Sequence, residues 1–161
     1  MPENAPSATG YSAIVSVAVR VSGNVPVRLD ATNIGTPEQQ VGLTLGSVLV
    51  YLRTVQTVRA VVEGWRSAKV AAESLGPARP ISEQRAGLAH VAGSQVSALV
   101  RLGGLPTVLS APVTRRPGSR VPSHVRIQVG PVVWEVCDWT AYECLAAGWL
   151  QAATLLNLPI T

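Results

Sequence analysis

The chain has 161 residues, of which 47% are hydrophobic and only 14% charged, against about 25% charged in an ordinary globular protein. A chain so poor in charge stays in solution only by burying its valines, leucines and alanines, which excludes intrinsic disorder, and two cysteines over this length exclude a disulfide-stapled miniprotein. Thirteen basic and nine acidic residues leave a net charge of +4, a mildly basic balance.

Residues 1–11 read as a disordered N-terminal tail and 12–161 as a single α+β domain, with any subdivision falling near 77–81. Met1 to Gly10 lacks the positive start and apolar stretch of a secretory leader. The longest apolar runs (Ala13–Val19, Val41–Leu52 and Leu145–Leu156) are shorter than the ~20 residues a membrane span requires. No membrane partner and a cytoplasmic location are therefore expected.

Ser12 to Val21 alternates, with Val15, Val17, Val19 and Val21 on one face, which is the period of a half-buried strand. Ser22-Gly23-Asn24 follows as a turn, and Val25 to Leu29 reads as its hairpin partner, with Pro26 marking a sheet edge. Thr36-Pro37-Glu38-Gln39 has the order of a capping box with proline at the first helical position. Leu75-Gly76-Pro77 is a helix stop. Between them Val41, Val48, Val55 and Val62 recur every seven residues, flanked by Leu45, Leu52, Val58 and Trp65.

A single helix over 37–75 would be about 58 Å long at ~1.5 Å per residue, against a domain diameter of roughly 30 Å. Such a helix either breaks, at Gly42, Gly46 or Gly64, or pairs with a second copy. On the second alternative the protein is a homo-oligomer with Val41, Val48, Leu52, Val55, Val62 and Trp65 in its interface.

Beyond a linker at Pro77–Pro80, Ser82 to Ala92 reads as a short helix. Val96–Leu102 and Pro106–Val113 flank Gly103-Gly104, while Val125–Val129 and Val132–Cys137 flank Gly130-Pro131, as two further hairpins. A C-terminal helix runs from Ala141 to Leu156, with Thr140 as cap and Glu143 completing a second capping box. The sum is an α+β fold of antiparallel hairpins, about six strands, packed with one long helix, one short helix and the C-terminal helix. Both halves end in a hairpin feeding a helix, but no residue-level repeat stands out.

Charge is distributed unevenly. No acid occurs between Glu83 and Glu135, a stretch holding Arg85, Arg101, Arg115, Arg116, Arg120 and Arg126 with His90 and His124. Arginine forks bidentately onto phosphates and carboxylates, so Arg101, Arg115, Arg116, Arg120 and Arg126 form a candidate surface for nucleic acid or an acidic partner. No aromatic side chain is interleaved with them, which disfavours single-strand stacking.

Cys137 and Cys144, seven residues apart across a strand-to-helix turn, lack the further ligands a metal would need, and they read as reduced structural cysteines. The capping box accounts for Glu143 and strand alternation puts Glu135 opposite Trp134, so nearby arginines are the expected partners of both rather than paired-carboxylate catalysis. Neither a P-loop nor a dinucleotide fingerprint is present, so no cofactor, metal or catalytic residue is assigned. The sequence favours a non-enzymatic, self-associating binding or accessory protein. Two alternatives stay open: a small enzyme or ligand-binding domain with its pocket near Trp134, Asp138 and Tyr142, and a subunit of a larger assembly.

Overall fold

In the computed structural model, residues 10–79 and 96–157 are described. The short helix expected at Ser82–Ala92 and most of the expected N-terminal tail lie outside these residues. The elements run β1 (Val17–Val21), β2 (Val27–Thr32), β3 (Gln40–Leu45), β4 (Val48–Leu52), α1 (Val55–Ser67) and α2 (Lys69–Glu73). They continue with β5 (Ala98–Arg101), β6 (Val108–Val113), β7 (His124–Val129), β8 (Val132–Val136) and α3 (Trp139–Leu156).

The mixed α and β content agrees with the sequence, but among the described residues eight strands form where about six were expected. They make two four-stranded sheets, ordered β2-β3-β4-β5 and β1-β8-β7-β6. Each has an antiparallel meander closed by one parallel strand: β5 beside β4, and β1 beside β8. Two expected hairpins are therefore corrected, since β1 and β2, and likewise β5 and β6, belong to different sheets. Alternation identifies a half-buried strand without naming its neighbour, and here the Ser22–Asn24 and Gly103–Gly104 links cross between sheets.

The largest correction concerns 37–75. In place of one long helix stand the β3–β4 hairpin, α1 and α2. Val41, Leu43 and Leu45 pair with Leu52, Val50 and Val48 around the two-residue turn Gly46-Ser47, with Gly46 at φ +60. The turn restarts the alternation one residue out of phase, so two strand triplets imitate a seven-residue helical spacing. The Thr36 box is a turn preceding β3: Gln39 accepts from the Gly35 N–H and donates to the Arg53 carbonyl. Helix α1 starts instead at Thr54, whose hydroxyl accepts from the Thr57 N–H. The cap of α3 is Asp138 rather than Thr140.

The two halves are copies of one unit. Shifted by 84 residues, Val41, Leu43, Leu45, Gly46, Val48, Val50 and Leu52 fall on Val125, Ile127, Val129, Gly130, Val132, Trp134 and Val136. The same shift carries Thr54, Val58, Val61, Gly64, Trp65 and Ala68 onto Asp138, Tyr142, Leu145, Gly148, Trp149 and Ala152. For the preceding strands the shift is 81: Val17 and Ala98 open the two parallel pairs, and Val27 and Val108 face Leu45 and Val129. Each unit is thus a strand, a three-stranded meander and a helix, and its first strand completes the other unit's sheet.

The helices cross over as well. Helix α1 packs on β6, and α3 on β2 and β3, while the two helices lie against each other. The repeated glycine makes this close approach available. A Cβ on Gly64 would lie 2.3 Å from Val108 Cβ, and one on Gly148 would lie 3.0 Å from Val27 Cγ1 and Leu45 Cδ2. Beside each glycine a tryptophan fills the centre of a single apolar core. Trp65 and Trp149 both meet Trp134 edge-on, with centroids 6.1 and 5.9 Å away, a favourable quadrupole arrangement.

Candidate interaction surface on the β6–β7 hairpin

The arginine-rich segment of the sequence becomes the 114–123 loop joining β6 to β7. Its backbone is fixed locally. Gly118 takes φ +76 in a turn closed by the Ser119 N–H donating to the Arg116 carbonyl. The Ser123 hydroxyl accepts from the Arg115 N–H, and the Ser119 hydroxyl from the Val121 N–H. Arg115, Arg116 and Arg120 are exposed. The Arg115 Nε donates to the Ser119 carbonyl at 3.0 Å, which tethers its guanidinium at the loop tip. Arg126 is exposed on β7 as the cross-strand neighbour of Glu135. Among the described residues, no carboxylate forms an ion pair with any of these four arginines.

Arg101 does not join them: it lies on β5 of the other sheet, paired with Tyr51. The five arginines therefore divide into four around one hairpin and one elsewhere. Glu135 itself is occupied, accepting from Arg20 Nε at 2.9 Å and from Nη2 at 2.8 Å.

Sequence reasoning missed the apolar part of this surface. Among the described residues strand β6 is an edge, and all of it except Val108 is exposed. Val113 lies next to the loop and Val121 within it, while Leu109 is exposed at the far end of the same strand. In the other unit the positions of Leu109, Ala111 and Val113 are held by Arg28, Asp30 and Thr32 of β2. Arg28 and Asp30 form an ion pair at 3.2 Å, the kind of charged decoration that keeps a sheet edge from pairing further.

The residues expected at a helical oligomer interface are accounted for within one chain. Val41, Val48 and Leu52 are fully buried strand residues, Trp65 is at the core, and Val55 and Val62 are half-buried on α1. Val62 lines a groove of about 830 Å³ between α1 and α3 bounded also by Arg59, Arg66, Leu105, Leu150 and Asn157.

Trp134, Asp138 and Tyr142 do come together, but as buried structural parts. Asp138 accepts from the Ser22 hydroxyl at 2.6 Å and from the Gly23 and Ala141 N–H groups at 2.8 Å. The Tyr142 hydroxyl donates to the Trp65 carbonyl, and burial raises its pKa. Burial likewise pushes the Cys137 thiol up to about 11, outweighing the lowering by Arg20. The thiol is thus protonated at neutral pH and a poor nucleophile. His124 is buried, with Nδ1 2.9 Å from the Pro122 carbonyl. Among the described residues, no three His, Cys, Asp or Glu side chains gather as a metal site, and no helix is long and apolar enough to cross a membrane.

Comparison of the chain with family models, curated proteins and solved structures gives no match.

Proposed function

We propose that this protein is a non-enzymatic binding module that holds an acidic partner protein on the β6–β7 hairpin. The observation that carries this reading is the composition of the hairpin surface: Arg115, Arg116, Arg120 and Arg126 are exposed on the same hairpin as Leu109, Val113 and Val121, with no acid between residues 84 and 134. Arginine is enriched at protein interfaces, whose buried centre is more apolar than their rim. A nucleic-acid surface would instead favour a continuous cationic track or stacking aromatics.

The test is fluorescence anisotropy with two labelled probes, an acidic peptide of alternating glutamate and leucine and a 20-base-pair DNA duplex. The peptide is expected to bind, more weakly at high salt, with at least about a tenfold loss, near 1.4 kcal/mol, in the Arg115→Ala/Arg116→Ala/Arg120→Ala protein. Tighter, salt-steep binding of the duplex, or no binding of the peptide, overturns the proposal.

A second surface supports self-association. Exposed Leu105 and Leu150, with Val62, line the α1–α3 groove, and a second copy would cover them. Light scattering after size exclusion is expected to give a dimer that Leu150→Glu dissociates; a monomer at tens of micromolar removes this reading.

A further inference from the structure

We infer that the acidic partner binds as an added β-strand along the free edge of β6. This rests on the proposed hairpin reading and specifies its geometry.

The hydrogen-bond phase of β6 follows from its first pair. The Gly130 N–H donates to the Thr107 carbonyl, and in an antiparallel ladder bonded pairs alternate with non-bonded ones. Leu109, Ala111 and Val113 then bond to β7, whereas the backbone groups of Val108, Ser110 and Pro112 point away from it. Among the described residues no strand lies on that side. Pro112 has no N–H to offer there, so pairing is limited to the stretch around Val108 and Ser110.

Access is open from both faces. Ser110 and Pro112 are exposed, although their cross-strand partners Ile127 and Val125 are fully buried. The duplicated strand supplies an internal comparison. Edge strand β2 carries the Arg28–Asp30 pair, while β6 has Leu109 and Ala111 at those positions. Of two equivalent edges, one is blocked by charge and the other left apolar and accessible, which is the surface that strand addition uses.

The strand ends at the arginine loop. An added segment would therefore place short apolar side chains beside Leu109 and Ala111 and carboxylates at Arg115, Arg116 and Arg120. Charge favours a foreign strand over a second copy, because another β6–β7 hairpin would bring the same acid-free, arginine-bearing surface.

The experiment uses the full chain and the acidic alternating peptide in three forms: unmodified, N-methylated on its odd-numbered amides, and N-methylated on its even-numbered amides. Strand addition requires only the amides facing β6. One methylated form should therefore bind at least tenfold more weakly than the other, and Ser110→Pro should weaken the unmodified peptide to a similar degree. Should Ser110→Pro fail to fold, the two methylated forms decide alone. Equal binding by both, with arginine dependence retained, overturns strand addition and leaves the charged-surface reading standing. No binding of any form overturns both. A dimer of the free protein that Ser110→Pro converts to monomer also overturns it, because the edge then belongs to a second copy.

Discussion

Replacing Gly64 by alanine is expected to destabilise the protein, although alanine is the better helix former by about 1 kcal/mol. The added methyl would lie 2.3 Å from Val108 Cβ, 2.4 Å from Cγ1 and 2.7 Å from Cγ2, whereas carbons rest about 3.5–4.0 Å apart. Helix α1 and strand β6 must then separate by more than about 1 Å, and overpacking on that scale costs roughly 3 kcal/mol. The net loss is about 2 kcal/mol, or a fall of about 4–8 °C in Tm for a domain of this size.

The duplicate position behaves differently. A methyl on Gly148 meets no atom nearer than the side-chain carbons Leu45 Cδ2 and Val27 Cγ1 at 3.0 Å, with Leu43 Cδ1 at 3.5 Å. These can rotate aside, so Gly148→Ala should change stability by less than about 1 kcal/mol. Urea unfolding followed through the buried Trp65, Trp134 and Trp149 measures both variants. Because Val108 Cβ is itself the nearest atom, Val108→Ala should not relieve the clash, while in a Val108→Gly background Gly64→Ala should cease to cost anything. A Gly64→Ala protein as stable as the parent, or less affected than Gly148→Ala, would refute the reasoning.

Asp138→Ala strands three donors, the Ser22 hydroxyl and the Gly23 and Ala141 N–H groups, and should cost about 3 kcal/mol in urea unfolding. Tyr142→Phe removes only the bond to the Trp65 carbonyl, and about 1 kcal/mol is expected from the same assay. Iodoacetamide should alkylate Cys137 appreciably only as pH approaches its pKa of about 11, with mass spectrometry reading the site; rapid labelling of Cys137 at pH 8 contradicts its burial. The folded thiol holds its proton above the unfolded value of 9.0. Its stabilising contribution is therefore complete below pH 9 and lost as pH rises through about 11, which unfolding curves between pH 8 and 11 would register.

The strands and helix of the second unit are legible in the sequence because each signal there has one meaning. Val125, Ile127 and Val129 alternate, Gly130-Pro131 turns, Val132, Trp134 and Val136 alternate again, and an apolar stripe follows. In the first unit the same pattern is overlaid by Thr36-Pro37 and by valines that fall seven apart across the Gly46-Ser47 turn. The helix and hairpin periods coincide on those residues, and only the pairing partners resolve them.

The duplication is hidden by a change of register. The loop between β2 and β3 spans 33–39, while its counterpart between β6 and β7 spans 114–123 and is three residues longer. The shift accordingly moves from 81 to 84 part-way along the unit. The repeated Gly-Trp at 64–65 and 148–149 is the surviving cue. Of the candidate surface, the arginines are visible as missing acids, since charge needs no topology. The free edge of β6 is invisible, because whether a strand lies at an edge depends on which others reach it.

The exchanged first strand governs how the fold can be assembled on the ribosome. Strand β1 pairs with β8 in the register Val17 to Val132, so at about 5–20 residues per second its partner appears on the order of ten seconds after it. The sheet built from β2 to β5 draws only on residues 27–101 and can close in the meantime. Synthesis thus imposes an order on two nearly equivalent sheets. The first is complete while the second is still a lone alternating valine strand, held open until the last hairpin emerges.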